Sequence, residues 1–257
     1  FLYEGLGTLL LWARFAQDFP AGEALFKAVF HAVSAFNNAG FSLFSDNLVS
    51  YQADPVVNFA VMGLIVAGGI GFIVHYELHM RIFGRHRRLS LHTKMVLIAT
   101  GVLIAGGAAL FFVFENERLL RGLPWQTQVL ASLFQAITPR TAGFNTVDIG
   151  MLTNESVLLM LALMFIGASP GSTGGGVKTT SASLLFLIMW SRLKGSDEVN
   201  VFNRTIPREL LQRAISITLA SSLFVCFVVS ILLFSADYAV PSDESRHLFV
   251  KYIFETV

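Results

Sequence analysis

Residues 30–42 read FHAVSAFNNAGFS, and residues 134–148 read FQAITPRTAGFNTVD. Aligned on their first phenylalanine, Phe30-His31-Ala32-Val33-Ser34 matches Phe134-Gln135-Ala136-Ile137-Thr138. After a gap of one residue, Ala39-Gly40-Phe41 matches Ala142-Gly143-Phe144. Each phrase ends a short semi-polar helical segment, residues 24–36 and 125–137. Neither has the roughly 20 apolar residues that a helix needs to cross a bilayer. A third such segment, residues 247–257, carries Phe254-Glu255-Thr256-Val257 where the first has Phe30-His31-Ala32-Val33. A unit recurring at roughly 100 residues predicts one architecture built several times.

Long apolar runs surround these segments. Residues 95–114 carry no charge, and residues 214–236 form a second clear span. Residues 56–74 are expected to be a third, interrupted only by Asn58. Its Gly63, Gly68, Gly69 and Gly71 would let neighbouring helices approach closely. Residues 2–16 read as the outer end of a truncated span, which suggests a fragment. Residues 156–166 and 180–190 are each too short to cross; with residues 167–179 between them they make one broken span. Only 14% of the chain is charged and 54% is hydrophobic, against about 25% charged in soluble domains. The fold class expected is therefore an all-α membrane protein of tandem span–pore helix–span repeats, with re-entrant loops around a central ion pathway. The repeats are expected at residues 1–83, 84–195 and 196–257.

The net charge of +1 gives no signal for nucleic acid. The lone Cys226 excludes a disulfide framework and reads as an apolar packing residue. Orientation follows from the positive-inside rule. Arg81, Arg85, Arg87, Arg88 and Lys94 cluster in one connection, and Arg192, Lys194, Arg204, Arg208 and Arg213 in another. Both are expected on the cytoplasmic side, with the glycine loops entering from outside. Backbone that dips into a bilayer and returns must line a cavity or pack in protein, because lipid cannot satisfy its carbonyls. A ring of such carbonyls can replace the water shell of an alkali cation. The inward C-termini of the short helices favour a cation as well.

FHAVSAFNNAGFS, FQAITPRTAGFNTVD and GASPGSTGGGVKTT resemble the Trk/Ktr/HKT superfamily of potassium transporters, and in particular the membrane subunit of bacterial Ktr systems. EVNVFNRTIP, residues 198–207, is also similar to that group. The resemblance covers essentially the whole chain. It implies four repeats around one potassium pathway, of which the first repeat and the fourth filter are absent here. It assigns Asn38, Ala39 and Gly40 with Thr141, Ala142 and Gly143 to a selectivity filter that binds potassium through backbone carbonyls. It also implies a multi-pass protein of the inner membrane, a homodimer, and a cytosolic nucleotide-binding ring as regulator. Potassium, with sodium as a further candidate, is the transported ligand; no cofactor is expected in the chain, and no enzyme activity.

The break in the broken span is the second candidate element. Gly167, Gly171, Gly174, Gly175 and Gly176 are poor helix formers, and Pro170 removes a backbone donor. Ala168 separates Gly167 from Ser169. Ser169, Ser172 and Thr173 can satisfy freed backbone groups. A mobile loop is expected, and the resemblance implies an intramembrane gate. Lys178 either snorkels to the cytoplasmic surface or faces the loop. Arg140, next to Thr141, needs a partner in the membrane, and Glu255 is the candidate. His75, Glu77 and His79 read as interfacial.

Four rivals stand beside this reading; the blandest, a purely structural membrane scaffold, leaves the matched re-entrant loops unexplained. Another is a non-selective cation channel of the same architecture. A third is an intramembrane serine hydrolase at Ser169, with His31, His75 or His79 as base, because Gly167-Ala168-Ser169-Pro170-Gly171 fits G-x-S-x-G. Pro170 lacks the N–H that the oxyanion hole of that motif uses, which weighs against it. A phosphate-binding loop is rejected because Val177 separates Gly176 from Lys178 and no strand precedes.

Overall fold

In the computed structural model, residues 1–84, 88–236 and 245–257 are described. The expected cytoplasmic cationic residues Arg85 and Arg87 lie outside them. The chain divides into two compact units, Phe1–Thr179 and Thr180–Val257. The first contains α1 (Leu2–Phe15), α2 (Ala21–Phe36), α3 (Pro55–Gly69), α4 (Phe72–Ile82), α5 (Leu91–Glu115), α6 (Trp125–Ile137) and α7 (Asn154–Phe165). At its end α8 (Thr179–Leu193) begins.

The sequence repeat is also a structural one. The short helices α2 and α6 are both preceded by proline. Pro20 and Pro124 share one extended geometry, φ −54° with ψ 143° and 142°. Proline sets φ without leaving an unmet N–H at a helix start. After each glycine loop comes a short 3-10 turn, Val49–Tyr51 and Ile149–Met151, and then the next long apolar helix. Those helices are capped by Asp54, which accepts from the N–H groups of Val56 and Val57, and by Thr153, which accepts from Ser156. Each cap is tied back to the preceding apolar helix. Arg14 on α1 ion-pairs with Asp54. Glu115, ending α5, accepts from the N–H and the hydroxyl of Thr153, both at 2.9 Å.

Alanine lets α2 sink between its neighbours. Ala24, Ala28, Ala32 and Ala35 are buried on its inner face, with His31 among them. They join a core with Leu11 and Phe15 of α1, Val57, Val61 and Leu64 of α3, and Phe134 of α6. Both short helices thus rest on one hydrophobic cluster. Helix α5 packs closely on α6 at Gly107, where a Cβ would meet the Cβ of Ala136 at 3.1 Å, tighter than ordinary contact.

One expected span is corrected. Residues 56–74 are not one helix, because α3 and α4 meet at a bend of 103°. Gly71 provides it with φ +91°, a conformation that only glycine takes readily. A Cβ at Gly71 would lie 2.4 Å from the carbonyl oxygen of Pro170, so the bend also makes room for the segment that follows α7. Hydropathy sees neither constraint.

In the second unit, α8 leads to a hairpin of β1 (Asn200–Val201) and β2 (Arg204–Thr205), then α9 (Arg208–Ala236) and α10 (Ser245–Thr256). Phe202 and Asn203 turn the hairpin with φ +50° and +61°. Helices α5 and α9 are long and apolar enough to cross a membrane, and the bent α3–α4 pair adds a further candidate. On α9, Leu219, Leu223, Phe224 and Phe227 are exposed. So continuous an apolar surface suits lipid or protein, not water. The fold is that of a multi-pass, all-α membrane protein.

Candidate functional site

The two glycine loops meet. A Cβ built on Gly40 would lie 2.6 Å from the carbonyl oxygen of Ala142, so the backbones of Asn38-Ala39-Gly40 and Thr141-Ala142-Gly143 are in contact. Their conformations match residue for residue. Asn38 has φ +51° and Gly40 +73°; Thr141 has +71° and Gly143 +78°. Ala39 and Ala142, between them, are not in the left-handed region. Asparagine tolerates that region, but it is unusual for the β-branched Thr141. A backbone that alternates in hand can bring successive carbonyls to one side. Among the described residues no backbone N–H donates to the carbonyl oxygens of residues 38–40 or 141–143.

The sequence brings the loops to this state through their helices. Ala39 N–H bonds back to Ser34 O at 2.9 Å, and Ala142 N–H to Thr138 O at 2.9 Å, so the chain leaves each helix in a tight turn. Behind the first loop, buried His31 bridges Lys27 O at 2.7 Å and the hydroxyl of Ser42 at 2.9 Å. The geometry suits an imidazole that donates from Nδ1 to the helix carbonyl. The chains leaving the two loops bind each other: Leu48 N–H donates to Asn145 O at 3.1 Å, and Asn145 N–H to Asn47 Oδ1 at 3.3 Å.

The segment between α7 and α8 closes on itself. Ile166 and Val177 form a parallel bridge, Ala168 N–H donates to Gly175 O at 3.1 Å, and Thr179 N–H to Ala168 O at 3.2 Å. A Cβ on Gly167 would lie 2.1 Å from Gly175 O, so this crossing needs glycine. The segment also binds the elements around it. Ser169 N–H donates to Gly69 O at 2.9 Å, Thr173 N–H to Gly68 O at 3.3 Å, and Phe72 N–H to Gly171 O at 2.9 Å. These bonds take up backbone groups that the α3–α4 break sets free. Thr173 Oγ1 donates to Phe36 O at the end of α2 (3.0 Å), and Gly175 N–H to Thr141 Oγ1 at 3.0 Å. The segment therefore touches both glycine loops or their helices. Ser172 Oγ is buried and has no partner among the described residues.

Lys178 turns onto this segment, donating from Nζ to Gly174 O at 2.7 Å, so the choice that the sequence left open is resolved towards the loop. Arg140 is buried. Its Nη2 reaches Thr100 Oγ1 at 3.5 Å, and its Nε has no partner among the described residues. With Thr100, Gly69, Ile137 and Ala168 it lines a cavity of about 10 Å³, the size of one water. Glu255 belongs to the second unit, where it ion-pairs with Lys251 at 3.9 Å.

Ser169 is fully buried and its hydroxyl pairs with Thr179 Oγ1 at 2.9 Å. Two of the three histidines that could serve as its base are engaged elsewhere. His31 is placed as above. His75 reaches Ala67 O at 2.6 Å and the Tyr3 hydroxyl at 3.1 Å. His75 thus fastens α4 to the end of α3 across the bend, a role more specific than interfacial anchoring. The sequence carries no signal for it, because hydropathy does not show the bend.

The chain matches the TrkH family, described as cation transport protein, over residues 1–257. It is 37% identical over 257 residues to the Ktr system potassium uptake protein B of Bacillus subtilis, covering 98% of this chain and 55% of that protein. It is 35% identical over 256 residues to the protein of the same name from Vibrio alginolyticus, covering 99% and 54%. The chain thus spans about half the length of these relatives. The crystal structure of the potassium transporter TrkH from Vibrio parahaemolyticus shares its fold, with a TM-score of 0.68 at 20% identity over 93% of this chain and 50% of that one. With the family matched end to end and relatives above 30% identity over nearly all of it, the chain belongs to the TrkH family of cation transport proteins.

Proposed function

We propose that the chain is part of a potassium uptake protein, in which residues 38–40 and 141–143 contribute carbonyls to the selectivity filter. One observation carries this reading: in two loops at equivalent places in the repeat, the backbone alternates in hand and its carbonyls accept no backbone hydrogen bond among the described residues. Inside a bilayer such carbonyls need a polar occupant, and a dehydrated alkali cation is one they suit. The relatives named potassium uptake proteins support potassium as that cation.

In the same reading residues 167–176 with Lys178 form a gate, supported by their bonds to both glycine loops or the helices that carry them. Residues 1–83, 84–195 and 196–257 belong to three successive repeats; the matched helices, loops and caps of the first two support this. Arg140 and Glu255 act as filter support. A second copy of the protein, a cytosolic nucleotide-binding ring and an inner-membrane location complete the proposal; the name "Ktr system" fits a multi-subunit assembly.

The test is flux through the full-length polypeptide in proteoliposomes, with potassium and sodium compared under equal gradients. Preference for potassium is expected. Equal fluxes would replace the proposal with a non-selective cation channel.

A further inference from the structure

We propose that Ser34 and Thr138 are positioning residues that set the filter carbonyls, each acting as a two-point clip on the loop that follows it. This inference rests on the filter reading above. The backbone carbonyl of Ser34 accepts from Ala39 N–H at 2.9 Å, while its hydroxyl donates to the carbonyl of Phe41 at 2.9 Å. Thr138 repeats the arrangement. Its carbonyl accepts from Ala142 N–H at 2.9 Å, and its hydroxyl donates to the carbonyl of Phe144 at 2.5 Å. Both side chains are buried, at 6% and 3% exposure, so water does not compete for these bonds.

The two attachment points of each clip bracket the glycine, Gly40 or Gly143. Two consequences follow. The carbonyl after the glycine is held by a hydroxyl and is not offered to an ion, so the ion-facing run ends at the glycine. The peptide planes on either side of the glycine are fixed as well, because only one residue lies between the anchors. The geometry of a carbonyl site decides which cation it suits. A side chain that fixes those planes acts on selectivity without touching the ion.

Ordinary capping does not account for the arrangement. A serine or threonine in the last turn of a helix commonly bonds back to the carbonyl four residues earlier. Here both hydroxyls reach forward, by seven residues from Ser34 and by six from Thr138. The residue types and the loop lengths differ, yet the carbonyl reached is the equivalent one. From the side of their own helices the two clips are not equally supported. His31 gives the first loop a further tie through Ser42. Gln135, its counterpart in the second, is buried with neither amide atom bonded among the described residues. Thr138 therefore carries more of the load than Ser34.

The experiment uses the full-length polypeptide in proteoliposomes and measures potassium and sodium flux for wild type, Thr138→Val, Thr138→Ser, Ser34→Ala and Ser34→Thr. Thr138→Val keeps the shape and removes the hydroxyl. Losing one net hydrogen bond corresponds to a roughly 2- to 10-fold change in an equilibrium. A fall of that size in potassium preference is expected for Thr138→Val and a smaller one for Ser34→Ala, with Thr138→Ser and Ser34→Thr near wild type. Folded Thr138→Val with wild-type preference overturns the clip, and so does Thr138→Ser behaving like Thr138→Val. If Thr138→Val does not accumulate as folded protein, Ser34→Ala decides: wild-type preference there overturns the proposal. A wild-type protein without potassium preference refutes the filter reading instead, whatever the variants do.

Discussion

Gly40 and Gly143 oppose each other unequally. A Cβ on Gly40 would sit 2.6 Å from Ala142 O and 2.9 Å from Gly143 Cα, whereas a Cβ on Gly143 would meet only Gly40 Cα, at 3.3 Å. Both residues have positive φ, so any side chain costs about 1–2 kcal/mol in backbone strain alone. Gly40→Ala adds a collision with backbone that cannot move away. We expect Gly40→Ala to abolish potassium preference and to lower thermal stability measurably. Gly143→Ala should show mainly the strain. Flux ratios and thermal unfolding in detergent check this, and equal effects of the two substitutions would contradict the asymmetry.

Deleting residues 167–176 is expected to raise flux, because the deletion removes the segment that binds both glycine loops or their helices. Thr173→Val is the gentler version. It loses the bond to Phe36 O, worth about 0.5–1.5 kcal/mol, and should raise flux roughly 2- to 10-fold if the segment limits conduction. A folded deletion variant that conducts no faster would mean that the segment is a static kink.

Among the described residues Arg140 has poor compensation, with one long contact to Thr100 and an unbonded Nε. Arg140→Gln should lower stability more than it changes conductance. If Glu255 is its partner in the complete protein, a double-mutant cycle of Arg140→Gln with Glu255→Gln should give a coupling of about 1–3 kcal/mol. Additivity within about 0.5 kcal/mol would exclude the pair.

The tie between α1 and α3 gives a test of the repeat's outer connection. Asp54 both caps α3 and pairs with Arg14, which is partly exposed. Asp54→Ala should cost about 1 kcal/mol for the cap plus the ion pair, while Arg14→Ala should cost at most about 1 kcal/mol. Thermal unfolding of the two variants would show this order, and a larger loss for Arg14→Ala would reverse it.

What could be read from residues alone followed from repetition and hydropathy. The helix containing residues 125–137 has the expected bounds, and both glycine loops lie where the doubled phrase put them. Hydropathy located the apolar stretch at residues 56–74 but not its break. The 103° bend there depends on the backbone hand of Gly71 and on Pro170, a contact made a hundred residues along the chain. The direction of Lys178 was undecidable for a similar reason, since its acceptor, Gly174 O, exists only once the segment has folded on itself. Ser34 and Thr138 were visible as an aligned pair of hydroxyl residues. Their forward reach was not, because it requires the loop's return path.

The bonds from Thr173 to Phe36 and from Gly175 to Thr141 carry a thermodynamic obligation. On the gate reading, moving the segment aside breaks contacts with the elements that shape the ion sites. Linkage is reciprocal. Any free energy by which segment opening alters ion affinity must reappear as an effect of ion occupancy on opening. Permeant ions would then be effectors of their own passage: a potassium-loaded and a sodium-loaded filter would hold the segment open for different fractions of time, and selectivity would be expressed in gating as well as in binding.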